Sequence, residues 1–570
     1  MNLPALALVA ALLARASDGL GQSPPPQGII LISIDDLRRD GVGCYAPAAR
    51  AFTPLLDRFA RESVLFEQAI SQATWTLPAH ASLLTSLYPS SHGAGGVFSS
   101  SPRPLLGSVL TLPDILRRNG YKTAGFADAG LLGAHFGFAA GFDSYLAHVG
   151  EPHARSTFQD AAEWIKANGR GKFFVFLHSY LVHDYLDLDP SAEVLSCPPR
   201  LDPNPAMPPA PDPRVCRAAA GKYGRATYCM DRTLGGFLAE VDRMSGKDRP
   251  LVVITADHGE ALCEPHEFRA RWGHGGQPYE GVVRVPLLMR FPGARWGARR
   301  VAAAVSLIDV APTILDAAQI ALPADFQGRS LIRLIEGGPP PAGPIFIEGN
   351  SAGDDWEAVR TDRYKYILHG RGREELYDLV QDPGETDNRA LREPKTAGAL
   401  KANLRTFIAG QRMGFHLAAK ADAGDTFTIR VHSAEPLTEH RALFAEGSDT
   451  VTVADGGRGL SAVFKGDTAG DEDWLSFAVA SDTAPLVLEV AWNGRPLAAG
   501  RLYMGDARTA AGSPLDLNGR DAAKSLSGSS PPSLAAGDVA VWRGGRGAAP
   551  KPAELNGELL KALRAAGYVR

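Results

Sequence analysis

The chain has 570 residues, with 45% hydrophobic and 21% charged residues and a formal net charge of −4. That length and apolar content provide for a large core and more than one domain. The near-neutral charge, with no basic block and no acidic tail, argues against nucleic acid as a partner and against a solvating arm.

In chain order, the first feature is an apolar run from Pro4 to Leu13, followed by Ala14-Arg15-Ala16. The run is shorter than the ~20 residues that span a bilayer. With its small-x-small site it reads as a signal peptide over residues 1–21, although the n-region carries no Lys or Arg. No later segment is apolar enough to be transmembrane, so the expectation is an exported, soluble protein, periplasmic or extracellular. The cysteines form no CxxC pair, which argues against a cysteine zinc site. In an oxidising compartment Cys197 and Cys216 could close the proline-rich loop between them.

After a Pro-rich linker at 23–27, Gly28–Ile34 (GIILISI), Phe173–Leu177 (FFVFL) and Leu251–Thr255 (LVVIT) are continuous apolar runs. Such runs suit strands buried on both faces of a mainly parallel sheet. Amphipathic helical stretches alternate with them at Thr53–Arg61, Leu112–Asn119, Thr157–Ala167 and Lys222–Val241, which predicts an α/β domain over 28–343. IFIEG, AVRTDRYKYIL and EELYDL predict a smaller antiparallel subdomain over 344–414. Short strands separated by Gly, Asp and Asn predict a β-sandwich over 420–505. Residues 506–552, rich in Gly, Ala, Ser and Pro, read as a flexible linker. Residues 553–570 read as a closing helix.

The polar residues that matter follow the apolar runs. Asp35 and Asp36 follow the first, His178 and His183 the second, Asp257 and His258 the third. Open α/β sheets bind ligands beyond the carboxyl ends of their strands. Carboxylates with an imidazole gathered there suit a divalent cation held mostly by oxygen, since such a cluster would otherwise repel itself. An Asp after a strand also serves as a turn former or helix cap, and His178 alone could be a core histidine. A third segment, Thr74-Trp75-Thr76-Leu77-Pro78-Ala79-His80, opens a helix, with Thr76 at its start. Thr76 is either a plain cap or a hydroxyl at the positive end of a helix dipole. In the second case contact with a metal would make it a nucleophile.

IILISIDDLRRDGVGCY, TLPAHASLLTSLYPSSHG and ITADHGE, in that order, resemble the first metal-binding segment, the signature and the second metal-binding segment of the sulfatase family. GYKTAGF, WGHGGQPYEGVVRVPLLMRFPG, DVAPTILD, AVRTDRYKYI and LYDLVQDPGETDN extend the resemblance from about residue 28 to 410, and LLKALRAAGYV resembles the family's closing helix. The resemblance implies an alkaline-phosphatase-like α/β fold, a mainly parallel sheet sandwiched by helices, into which the β-sandwich is inserted. It implies one divalent ion (calcium, magnesium or manganese, with zinc possible through His258) held by Asp35, Asp36, Asp257 and His258. Thr76 would sit at the nucleophile position and complete the coordination, and His80 would replace the signature arginine. His183 and His274 would act on the substrate's leaving oxygen. Contacts to the anion would come from His178, Arg38 or Arg271. A second metal would draw on His178, His183, Asp184 and His274.

Two departures bear on the reaction. Typical members oxidise the signature Cys or Ser to formylglycine, whereas threonine could give only a ketone. After GYKTAGF they carry a Gly-Lys-Trp-His motif, where this chain reads Ala127-Asp128-Ala129-Gly130. A phosphothreonine can be released by water or an acceptor alcohol, but a sulfated threonine has no aldehyde exit. The expectation is therefore hydrolysis or transfer of phosphate esters or diesters on a small molecule, glycan or lipid head group. A true sulfatase and a catalytically decayed scaffold with a glycan- or surface-binding sandwich are the alternatives. A membrane-bound head-group transferase ranks below them, because the chain lacks the transmembrane helices of such relatives.

Overall fold

The computed structural model describes residues 24–544 except 47–52, 98–100, 129, 149–153, 186–212, 265, 267–271, 350–355, 370–371, 412–413, 444–448, 467–470, 480–484, 506, 509–513, 519–525 and 527–533. The expected signal peptide, the closing helix and Arg271 lie outside these residues, as do Cys197 and the side chain of Cys216. Cys229 and Cys263 each take part in a disulfide, and Cys44 is a free thiol.

The centre is an eight-stranded sheet. In chain order its strands are β1 (Gly28–Ile34), β2 (Val64–Ile70), β3 (Lys122–Ala127), β4 (Ser144–Ala147), β5 (Phe173–Ser179), β6 (Leu251–Thr255), β7 (Arg284–Arg290) and β8 (Arg300–Ser306). Their spatial order is β8-β2-β7-β6-β1-β5-β3-β4. All neighbours run parallel except β7, which is antiparallel to both β2 and β6. Every residue of β1, β5 and β6 is buried, as their unbroken apolar sequences require when helices cover both faces. The helices are α1 (Pro54–Ala60), α2 (Thr76–Thr85), α3 (Leu112–Arg118), α4 (Ala154–Asn168), α5 (Pro213–Ser245) and α6 (Val310–Ala317). The mixed α/β, mostly parallel architecture is the expected fold class.

Four antiparallel strands, Ile345–Gly349, Trp356–Arg360, Tyr364–His369 and Glu374–Asp378, form the smaller sheet. Helix α7 (Pro394–Gln411) follows. Beyond it lie two six-stranded sheets enclosing their own apolar core of Phe415, Phe427, Ile429, Phe464, Leu475, Leu488 and their neighbours.

These strands reach further than residues 420–505. The first is Gly414–Ala421, and the last, Val539–Gly544, lies inside the stretch expected to be linker and pairs alongside it. VAVWRG is a normal strand sequence, hidden by its Gly/Ala/Pro-rich surroundings. The sandwich is bolted to the catalytic unit. Trp474, Trp542, Ala418 and Ala540 pack on Leu404, Phe407 and Ile408 of α7, and the Trp542 indole N–H donates to the Ala409 carbonyl at 3.2 Å.

Candidate active site and cation centre

β1, β5 and β6 are adjacent, and their carboxyl ends bring Asp35, Asp36, His178, Asp257 and His258 to one edge. All five are no more than 1% exposed. Helix α2 comes up beside them, and its cap position is Trp75, which makes no side-chain cap bond. Thr76 is therefore the first helical residue rather than the cap. Its hydroxyl donates instead to Asp35 Oδ2 at 3.3 Å. His178 Nε2 approaches the same oxygen at 3.1 Å. His258 Nε2 lies 3.1 Å from Asp257 Oδ2 and 3.6 Å from Asp35 Oδ1.

Asp36 adopts φ 60°, a left-handed conformation costing an L-residue about 1–2 kcal/mol. Tyr223 holds it there: the phenol donates to the Asp36 carbonyl at 2.8 Å and accepts from the Arg38 amide at 2.7 Å. The turn parts the two neighbouring carboxylates. Asp35 meets Thr76 and His178, whereas Asp36 Oδ1 meets His258 Nδ1 at 3.0 Å and His274 Nδ1 at 3.1 Å.

Asp35 Oδ1, both carboxylate oxygens of Asp257 and His258 Nε2 are buried with no hydrogen-bond partner. Leaving such atoms unsatisfied costs on the order of 1–3 kcal/mol each, so their convergence fits a cation. Asp35, Asp257 and His258 each offer a ligand atom within 4.8 Å of the others. The charges are strained accordingly. Burial and the neighbouring Asp257 push Asp35 up to about 7. Burial also raises Asp257, but His258 and His80 outweigh it and hold that carboxyl below its usual range.

A belt of rings surrounds the carboxylates. His80 and His178 meet edge to face at 4.7 Å, Tyr180 stacks on His183 at 4.5 Å, and His183 and His258 lie 5.5 and 4.6 Å from His274. His183 Nδ1 pairs with Asp184 at 2.9 Å and His274 Nδ1 with Glu260 at 2.9 Å.

Two expectations change. His80, in place of the signature arginine, is tied within the protein: its Nδ1 donates to the Thr76 carbonyl at 2.8 Å and its Nε2 accepts from the Ser33 hydroxyl at 2.9 Å. Burial lowers it to about 4, so it is a neutral tether on the Thr76 backbone. Arg38 gives no cation to an incoming anion. Its guanidinium binds Asp40 at 2.8 and 2.7 Å, the Glu260 carbonyl at 2.6 Å, and the Glu264 carboxylate. Asp40, two residues on, claims it first. Glu260, Tyr180, Tyr223 and Ser33 were not singled out from the sequence. Only Glu260 carried a signal there, as the next acidic residue in the Asp-His-Gly turn.

A family model described as sulfatase matches residues 27–320, and one described as N-sulphoglucosamine sulphohydrolase, C-terminal, matches residues 271–412. Arylsulfatase K of Mus musculus is 32% identical over 191 residues, 31% of this chain and 34% of that protein, so the match spans about a third of that relative. The ulvan-active sulfatase of Formosa agariphila is 26% identical over 407 residues, 64% of this chain and 77% of that protein. Among solved structures, a 2-O GAG sulfatase superposes with a TM-score of 0.55 at 21% identity, covering 68% of this chain and 92% of that one. With more than half its length inside the matching family model and the metal-type carboxylates where the resemblance put them, the chain belongs to the sulfatase family of the alkaline phosphatase superfamily.

Proposed function

We propose that the chain is a cation-dependent ester hydrolase that cleaves sulfate esters of a glycan or another small alcohol. The carrying observation is the buried set Asp35, Asp257 and His258, whose unsatisfied lone pairs converge beside the Thr76 hydroxyl. The sulfatase names of the relatives support sulfate over the phosphate preference that Thr76 alone suggested.

Asp35, Asp36, Asp257, His258 and Thr76 would hold the ion. Their mostly oxygen donor set suits calcium, magnesium or manganese, and His258 admits zinc. When bound, such an ion supplies charge to polarise the ester and to lower the pKa of a neighbouring hydroxyl. The protein's own groups do the rest. Asp35 Oδ2 accepts the hydrogen bond of the Thr76 hydroxyl and so fixes where its oxygen points. His80 and Ser33 fix the Thr76 backbone. His183, held by Tyr180 and Asp184, and His274, held by Glu260, stand ready to protonate the leaving oxygen. The disulfide-bonded Cys229 and Cys263 support export, because such bonds persist in oxidising compartments.

Thr76 favours a second reading, phosphoryl transfer through phosphothreonine. It cannot become formylglycine, and phosphothreonine is open to water in a way that sulfothreonine is not. Assays of the purified chain with calcium, magnesium, manganese or zinc on aryl sulfate, aryl phosphate and aryl phosphodiester separate the two. Cation-dependent sulfate release exceeding phosphate release is expected. The reverse order hands the assignment to phosphoryl transfer, and no turnover with no bound metal leaves the decayed scaffold.

A further inference from the structure

Away from the catalytic edge, a cavity of about 310 Å³ opens between α1 and the loop leading into β8. Arg61, Arg299 and Arg300 line it, with Cys44, Asp57 and Leu65. Arg300 is the register partner of Leu65, and Arg284 of Ile70, which ends β2 at the same carboxyl edge as Asp35. Those five residues of β2 place the cavity roughly 17 Å from that edge.

Cations outnumber carboxylates along this stretch. Arg39 and Arg284 both donate to the Glu67 carbonyl, at 2.8 and 3.0 Å, and Arg300 reaches the Glu67 carboxylate at 2.8 Å. Asp57 accepts from the Cys44 amide and the Thr53 hydroxyl, and Arg38 takes Asp40. Among the described residues, Arg39, Arg61 and Arg299 have no ion-pair partner. Burial, Arg39 and Arg360 pull the Arg284 guanidinium down to about 10 against the attraction of Glu280. Such a shift marks cations crowded together without enough countercharge.

The loop that delivers Arg299 is strained. Ala294, Trp296 and Ala298 sit at φ 51°, 60° and 60°, three left-handed residues of which none is glycine. Backbone strain of this kind persists where the surroundings enforce it, and it gathers at binding sites. Here it brings Arg299 into the same cavity as Arg61. Guanidinium forks match the paired oxygens of sulfate and carboxylate groups.

We propose that this cavity anchors a sulfate or carboxylate group of an anionic glycan through Arg61, Arg299 and Arg300, with Arg39 and Arg284 between it and the catalytic edge. The proposal rests on the reading that the ester cleaved at that edge belongs to a glycan. A chain of charged sugars spans the separation, whereas a single small ester does not. The stripe is assembled from residues 39, 61, 284, 299 and 300, so no basic block announces it in the sequence.

The test uses the full chain and dextran sulfate, with uncharged dextran and duplex DNA as controls. Arg61→Gln combined with Arg299→Gln removes two guanidiniums that pair with nothing else among the described residues. The wild type is expected to bind dextran sulfate in a salt-sensitive manner and to leave dextran unbound. The double variant, its fold checked by circular dichroism, is expected to bind at least about tenfold more weakly. Its kcat/KM on an aryl sulfate is expected to stay within about twofold of the wild type. Arg299→Gln alone carries the same comparison if the pair does not fold. The anchoring site is overturned if the wild type ignores dextran sulfate, if the variant binds it as tightly, or if duplex DNA binds more tightly at the same salt. A larger fall on the aryl sulfate also overturns it, because the arginines would then serve the catalytic edge itself. A wild type that hydrolyses no aryl sulfate overturns the ester reading instead, and the binding comparison still decides the cavity.

Discussion

The central sheet and the β-sandwich bury their strands on different rhythms. β1 and β5 are buried at every residue, and their last positions and following turns hold Ser33, Asp35, Asp36 and His178 in the dry interior. The sandwich strand Thr426–Ser433 alternates buried with less buried residues, and Leu486–Trp492 does the same over its first five. Its interior is an apolar cluster. The first region spends stability to hold ionisable groups together. The second is built by the ordinary rule of one face in and one face out. Chemistry is therefore to be sought at the end of the sheet, and support or recognition in the sandwich.

The most severe way to test that division is Thr76→Ala. Turnover is expected to fall by about a thousandfold or more in a variant that circular dichroism shows to be folded. Full activity would remove Thr76 from the reaction and the sheet edge from its place in the comparison. Next comes Trp542→Ala in the sandwich, which empties the contact with α7. A loss of about 3–5 kcal/mol in a denaturant melt is expected, while kcat per folded molecule stays within about twofold. A large kcat defect would mean that the two regions are functionally coupled.

A smaller effect follows from His92, just after α2. Its Nδ1 accepts from the Ala94 amide at 3.1 Å, and its Nε2 donates to the Ser82 hydroxyl at 3.0 Å. Burial lowers its pKa to about 3 from the ordinary 6.5. The unfolded chain therefore takes up the proton first on acidification. The stabilisation is complete above pH 6.5 and is lost as pH falls toward 3, amounting to about 2 kcal/mol by pH ~5. Urea melts across this range should show that slope, and His92→Gln should flatten it by His92's share. An unaltered slope would refute the neutral, buried assignment. Least of all, Val453→Lys on an exposed sandwich strand should change stability by no more than about 0.5 kcal/mol. A larger loss would mean that this face is covered.

The strands of the central sheet were legible because a nearly unbroken apolar run such as GIILISI, interrupted only by Ser33, has few other fates. The gathering of Asp35, Asp257 and His258 was legible for a related reason: parallel neighbours deliver their carboxyl ends to one edge. The direction of each side chain was not. Arg38 stood beside the acidic pair in sequence, yet Asp40 and Glu264 captured it. His80 followed Thr76 by one helical turn, which placed its ring on the Thr76 carbonyl rather than in a binding cleft. Glu260 and Tyr223 come from different parts of the chain, and no local periodicity links Tyr223 to the backbone of Asp36. The strand at Val539–Gly544 was lost in a compositionally loose stretch because six residues carry too little signal to outweigh their neighbours.

That last strand has a further consequence. Gly414 and Gly544 are register partners on adjacent antiparallel strands, so the first and last described residues of the sandwich lie about 5 Å apart. A module with such closely spaced ends behaves as a cassette. A splice at that point would remove it without lengthening the chain, but the α7 face under Trp474 and Trp542 would then need a new cover.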